Sequence, residues 1–465
     1  MTATTLHAPV LAHAPLNGNQ IRALFPGLTR SRQNPPTALF DNAGGSPLPA
    51  CVIDAATEYL THSYANTGGA YPESLNAAAT IKRAHDVVGA FVNAGQSGRG
   101  AGSIILGSST TALVHLVANA YADALHAGSL RDSKRTEIIV STAGHEANIG
   151  PWARIAERLS ASASGRGVTL TLWPTERVEG PNGNVTYRPR LSTLKKLISD
   201  RTLLVAMPQV SNILGEVWDD AEGVRGVCAL AKQHGARTFI DGVAAAPHAA
   251  PDVQAIGCDW YVYSPYKVFG PHSGALFGTH TALAELVGPN HFFIPNDEVP
   301  RKWEVGGVSH EACAMIGALP TFVRQVLNMA AGTSDHADTP NLTHTHYAAA
   351  FDHMAAIERT HQARIIDCLN RKPSVRIVGP ATAGAERVAT IAFTHATLKS
   401  SAIAAKANAL GLGIRSGHFY SKRLIDELAA SHGIDPTEGI VRASALCTNS
   451  TEDIDRLVAF FDATL

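Results

Sequence analysis

The sequence predicts an α/β protein whose short buried strands each deliver polar residues into a loop. Three observations carry that expectation. Apolar, β-prone runs recur at Ser103–Leu106, Glu137–Ser141, Leu203–Met207, Thr238–Asp241, Asp259–Tyr263 and Ala275–Phe277. Clusters of Gly, Ser, Thr, Asn and Pro punctuate them, and helical periodicity fills long intervals such as Ala50–His62 and Ile316–Ala331. Runs of this kind read as strands buried on both faces. Open α/β sheets place their ligands where such strands give way to loops.

Two residues stand out at those strand ends. Asp241 closes one run, and Lys267 lies 26 positions later, just past another, in Ser264-Pro265-Tyr266-Lys267. A lysine can carry pyridoxal phosphate covalently, while a carboxylate keeps the ring nitrogen protonated so that the ring accepts electrons. The amine must be neutral to react, so burial or nearby positive charge has to lower its pKa. Taken alone, the pair reads foremost as a loop-capping aspartate and a solvated lysine, the ordinary fate of such charges.

The wider sequence decides between them. Asp241, Ser264-Pro265-Tyr266-Lys267 and Gly270-Pro271-His272-Ser273-Gly274 stand in order, and together they resemble the class V aminotransferases of fold type I. That group includes cysteine desulfurases, selenocysteine lyases and isopenicillin epimerase-like proteins. The resemblance runs from about Phe40 to the C-terminus. It implies a mainly parallel seven-stranded sheet with helices on both faces, a smaller α+β domain, and pyridoxal 5'-phosphate as cofactor. The expected organisation is a flexible leader over 1–20 and an N-terminal segment over 21–48 that serves the small domain and the active site. A large cofactor-binding domain over 49–320 and a small domain over 321–465 complete it.

Taken in order, Leu39-Phe40-Asp41-Asn42-Ala43-Gly44-Gly45 is a strand entering a small-residue turn. It resembles a family segment that contributes to the substrate pocket. Gly107-Ser108-Ser109-Thr110-Thr111 joins a strand to an apolar helix. Such a junction is an anion site, because free N–H groups and the helix dipole point at the ligand, although the same hydroxyls serve equally as an N-cap. In family register, Ser109, Thr110 and Thr111 cradle the cofactor phosphate, with Ser264 and Tyr266 adding hydroxyls. His145 opens a string, through Asn148 to Pro151-Trp152, that resembles the family segment whose histidine stacks on the cofactor ring. An imidazole there can also relay protons near Cα.

Pro208-Gln209-Val210-Ser211-Asn212 matches another family loop, which implies that Asn212 lies beside the cofactor's phenolic oxygen and the substrate carboxylate. Gln209 replaces the usual histidine, and Ala244 stands where the family has a ring-contacting Gln or His. Trp303-Glu304-Val305-Gly306-Gly307-Val308-Ser309 resembles a segment that reaches the partner subunit's cofactor phosphate, so a homodimer is expected. Gly307 stands in place of the family's threonine. A helix over Tyr347–Leu369 and strands at Val375–Val378 and Ala389–Phe393 belong to the small domain.

Near the C-terminus, Arg442 matches the arginine that binds the substrate α-carboxylate, a task suited to a planar guanidinium. Pairing with Glu438 or Glu452 on the surface is the other reading. Arg415-Ser416-Gly417-His418-Phe419-Tyr420 resembles the motif preceding the desulfurase nucleophile, and Arg415 is a second substrate-binding candidate. Tyrosine stands at the cysteine position. A phenol with a pKa of about 10 does not replace a thiolate in attacking sulfur. The resemblance therefore implies an amino-acid enzyme working through proton loss at Cα: a desulfurase-like C–S or other β-substituent lyase without a persulfide cysteine. Epimerisation and transamination are alternatives, as is an inactive interaction protein. Lys267, His145 and Asp241 are the catalytic candidates.

Composition sets the outer bounds. The 465 residues are 45% apolar and 17% charged, an ordinary globular balance. Lys and Arg number 38 against 39 acids, so no field for nucleic acid arises. The 21 histidines lack metal-ligand spacing. Six scattered cysteines read as reduced thiols, no run is long enough to span a membrane, and the cytoplasm is the expected location.

Overall fold

The computed structural model describes residues 16–30, 36–95, 100–130, 134–160, 167–179, 185–333 and 341–465. Seven strands form the central sheet, in the order Gly102–Gly107, Gly274–Thr279, Trp260–Tyr263, Arg237–Asp241, Thr202–Pro208, Glu137–Ser141 and Thr169–Trp173. Gly274–Thr279 runs antiparallel to both neighbours, and the remaining pairings are parallel. This is the mainly parallel α/β sheet of fold type I.

Alternation along the strands explains the layers. Val205 and Met207 pack with helices Pro72–Phe91, Val224–Gln233 and His310–Ala331 on one face. Leu204 and Ala206 pack with Thr110–Ala127 and Gly150–Ser160 on the other. Successive strand side chains point to opposite faces, so a strand apolar throughout must be covered twice.

A second sheet, antiparallel, has the order Val375–Val378, Thr390–His395, Ile440–Ser444 and Arg415–Gly417. Its core joins Ile391, Phe393, Val441, Ile454, Leu457 and Phe461 with Ala38 and Phe40 from the N-terminal segment. Ala38–Leu39 pairs in parallel with Leu412–Gly413.

Two boundaries differ from expectation. Residues 1–15 lie outside the described residues, but the end of the expected leader is structured. Asn17 and Gln20 form a capping box for the Gly18–Arg22 helix, and Ile21 is fully buried. Gly18 packs so closely that a Cβ there would meet the Asn449 carbonyl oxygen at 2.2 Å. The division expected between residues 320 and 321 falls inside the unbroken His310–Ala331 helix. The next helix, His344–Asn370, sends Tyr347, Phe351 and Met354 into the large core and Ile365, Ile366 and Leu369 into the small one. At 1.5 Å per residue it is about 40 Å long, enough to serve both bodies.

Candidate active site

The site lies where strands of the central sheet end and the small domain leans over them. Arg237–Asp241 places Asp241 at its last position, 5% exposed. Its Oδ1 accepts the Val243 N–H at 2.9 Å, while its carbonyl accepts the Gln209 N–H at 2.9 Å. Burial pushes this carboxyl up to about 6, against the lowering pull of the Val243 bond and Lys267. Gly242 follows because the chain passes hard against Tyr261: a Cβ would lie 1.9 Å from the phenol oxygen.

Lys267 ends the short 3-10 turn Pro265–Lys267, 9% exposed. Burial, then Arg442, lowers its amine to about 8, against the raising influence of Asp241 and Asp41. A lysine held this close to neutrality is a nucleophile and a base near physiological pH.

The Ser109–Thr111 turn opens the Thr110–Ala127 helix. Ser109 caps the Thr110–Ala127 helix by accepting the Ala112 N–H at 3.1 Å. Thr110 Oγ1 and Ser264 Oγ are 2.6 Å apart, joining this helix start to the lysine loop. Tyr266 stacks on His272 at 4.5 Å and lies beside Ser264, while Thr111 is exposed. A Cβ on Gly274 would sit 2.4 Å from the Ser109 carbonyl carbon, so glycine permits this approach.

His145 Nδ1 accepts the Ala147 N–H at 3.0 Å, leaving the proton of the neutral ring on Nε2. Burial, then the positive charges of Lys267 and Arg442, lowers it to about 4, so the imidazole is neutral at ordinary pH. The Tyr420 ring lies 5.3 Å from it.

Asn212 is held by hydrogen bonds to the loop over 417–421. Its Nδ2 donates to the Phe419 carbonyl at 3.0 Å and its Oδ1 accepts from Ser421 Oγ at 2.7 Å. Both ends of the amide thus hold the 417–421 loop. The Glu146 N–H donates to the Tyr420 carbonyl at 2.7 Å, adding a third tether. Phe419 and Tyr420 take left-handed backbone angles, φ 49° and 58°. Such angles persist in non-glycine residues where surrounding contacts over-determine them.

Arg442 is buried and pairs with neither Glu438 nor Glu452. Its NH2 donates to Asp41 Oδ1 at 3.0 Å, its NH1 to the Asn212 carbonyl at 3.2 Å, and it stacks on Phe419 at 3.9 Å. Its Nε is buried without a partner in the described structure. Arg415 NH1 donates to the same aspartate's Oδ2 at 3.3 Å. Asp41 and Phe419 had no assigned role from sequence, although Asp41 lies in the segment whose resemblance pointed to the pocket. Ala244 packs by Val210, Ala245 and Val388, and Gln209 Oε1 accepts from the Tyr261 hydroxyl at 2.6 Å. Among the described residues, no group of three or more His, Cys, Asp or Glu could hold a metal ion, and no helix is long and apolar enough to cross a membrane.

These donors fit a flat, phosphate-bearing aldehyde cofactor: a near-neutral buried amine, a carboxylate at a strand end and hydroxyls at a helix start. Comparison with known proteins agrees. The family model described as aminotransferase class-V matches residues 38–457. A cysteine desulfurase of Serratia proteamaculans is 30% identical over 95% of this chain and 96% of its own length. The aminotransferase-like protein FGM3 of Gibberella zeae is 29% identical over 96% of this chain and 98% of its own. In fold, the chain is similar to the Escherichia coli cysteine desulfurase CsdA, with a TM-score of 0.72 and 23% identity, covering 97% of this chain and 98% of that one. A cysteine desulfurase from Thermococcus onnurineus gives 0.74 at 20%, with the same coverages. The chain belongs to the class V aminotransferase family and is a pyridoxal phosphate-dependent enzyme.

Proposed function

We propose that this enzyme removes the Cα proton of an amino acid and expels the group on Cβ, acting as a cysteine desulfurase-like C–S lyase without a persulfide cysteine. The observation that carries this reading is Tyr420, at the position that the family resemblance gives to the nucleophilic cysteine, held 5.3 Å from His145 in the 417–421 loop. Similarity to cysteine desulfurases over nearly the whole chain supports the bond broken.

When bound, pyridoxal phosphate supplies an electron sink for the pair left at Cα. Lys267 would hold it and serve as the base for the Cα proton, a role suited to an amine lowered to about 8. Asp241 would keep a proton on the ring nitrogen. Ser109, Thr110, Thr111, Ser264 and Tyr266 would hold the phosphate, and neutral His145 would pack against the ring. Arg442, aided by Arg415 and the Asn212 loop, orients the substrate carboxylate. The pair left at Cα forms the Cα=Cβ bond as the Cβ–S pair departs on sulfur, which leaves as sulfide or thiol after protonation, and water converts the released enamine to ketoacid and ammonia.

The experiment offers cysteine, cystine and other β-substituted amino acids to the loaded enzyme. Ketoacid in equal amount with the expelled β-group is expected (sulfide from cysteine, cysteine persulfide from cystine), with the lysine-bound cofactor's visible absorbance retained. Accumulating pyridoxamine phosphate overturns the lyase in favour of transamination, the activity to which the FGM3 likeness gives some weight. Loss of optical activity alone indicates an epimerase. No reaction with any amino acid indicates an interaction protein.

A homodimer is part of the proposal. Phe292, Phe293, Val305, Tyr71 and Leu75 are exposed in the single chain, and a second copy is the natural cover for them. A cofactor-loaded monomer in sedimentation at micromolar concentration overturns it. The six free thiols favour the cytoplasm.

A further inference from the structure

Arg442 is a buried cation that requires a counter-charge before any substrate arrives. Its side chain is 3% exposed, and an unpaired guanidinium at such a site is strongly destabilising. Asp41 meets that need. One of its oxygens takes Arg442 and the other takes Arg415, so a single carboxylate spans two guanidiniums. A substrate α-carboxylate carries the same two oxygens and the same charge.

The surroundings fix the backbone of Asp41, while its side chain is only partly buried. The residue bridges to Ser444, whose N–H donates to the Phe40 carbonyl at 2.6 Å. Next to it, Asn42 Nδ2 donates to the carbonyls of Leu39 and Ser444, both at 3.1 Å. The Asp41 side chain itself is 26% exposed. Gly44 makes its pose possible, because a Cβ there would crowd Oδ2 at 3.0 Å. Rotation of one side chain therefore exchanges the pair without rebuilding the turn. Phe419, against the faces of both guanidiniums, keeps them in place during the exchange.

We propose that Asp41 is a built-in stand-in for the substrate carboxylate, neutralising Arg442 and Arg415 in the free enzyme and yielding them to the incoming amino acid. The proposal rests on the reading of Arg442 as the carboxylate-binding residue. Asp41 competes with substrate and sets the affinity of the site for carboxylates, while keeping the buried arginine from standing unpaired.

The test uses the full-length, cofactor-loaded protein with propionate, which has a carboxylate but no amine to react, and reads its affinity by calorimetry. Asp41→Asn and Asp41→Ser are expected to bind propionate about tenfold tighter than wild type, a change of one decade in Kd. Arg442→Ala is expected to abolish saturable binding with either residue at 41. Unchanged or weaker binding in the Asp41 variants, with binding still lost in Arg442→Ala, overturns the stand-in and leaves the carboxylate role intact. Wild-type affinity in Arg442→Ala overturns the carboxylate role itself, and the stand-in with it. An Asp41→Asn chain that fails to fold alone is expected to fold in excess propionate, which supplies the missing charge. Absence of that rescue overturns the proposal.

Discussion

The two halves of the site are built on different principles. Lys267, Asp241 and the Thr110–Ser264 pair all stand at the ends of strands in one sheet, whose hydrogen-bond register fixes their spacing. The carboxylate half is a junction. Asp41 comes from the N-terminal segment, Asn212 from a loop of the large domain, and Arg415 and Arg442 from adjacent strands of the small sheet. The Arg442–Asp41 pair joins residues 401 positions apart. The first half is rigid because the sheet is rigid. The second depends on how two bodies dock, so it governs affinity more than chemistry.

That contrast is sharpest at Lys267. Lys267→Ala is expected to lower turnover by about 10³-fold or more and to remove the visible absorbance of lysine-bound cofactor. A variant keeping that band and full turnover would sink the assignment. Asp241→Asn should cost about 10²–10³-fold in kcat, the range for a lost electrostatic partner, with KM little changed. A KM effect larger than the kcat effect would break the division between the halves. Arg442→Ala should do the reverse and raise KM by about 30-fold or more, as when one partner of a buried charge pair is removed. Steady-state kinetics on the three variants decides the matter.

Smaller effects follow from pH. Neutral amine is the form that captures aldehyde, so cofactor-free protein should take up added pyridoxal phosphate faster as pH rises and level off above about 8. A rise continuing to the ordinary lysine value of 10.5 would show that burial does not tune Lys267. Stability of the cofactor-free protein carries the same signature. The folded pKa of Lys267 lies below its unfolded value, so the unfolded chain binds more protons between about 8 and 10.5, and stability rises with pH there. Asp241 has the opposite sign. Its folded value of about 6 lies above 3.8, so its contribution is full below that lower value and is lost as pH rises to about 6. Lys267→Met should flatten the upper slope and Asp241→Asn the lower one in denaturant titrations.

What the sequence determined by itself was local. Apolar runs ending in polar loops placed Asp241, Lys267, His145 and the Ser109–Thr111 turn at strand ends, because strand formation and burial depend on neighbours a few residues away. The ordered motifs carried the family and the fold. The tertiary structure decided which carboxylate faces Arg442. A buried guanidinium takes whatever acid the fold brings within reach, and that is Asp41 rather than the sequence neighbours Glu438 and Glu452. It also decided that Asn212 spends its amide on the Phe419 and Ser421 side of the loop, since the small domain docks there. The single helix His344–Asn370 feeds both cores for the same reason, because contact between distant segments is set by packing and leaves no period in the chain.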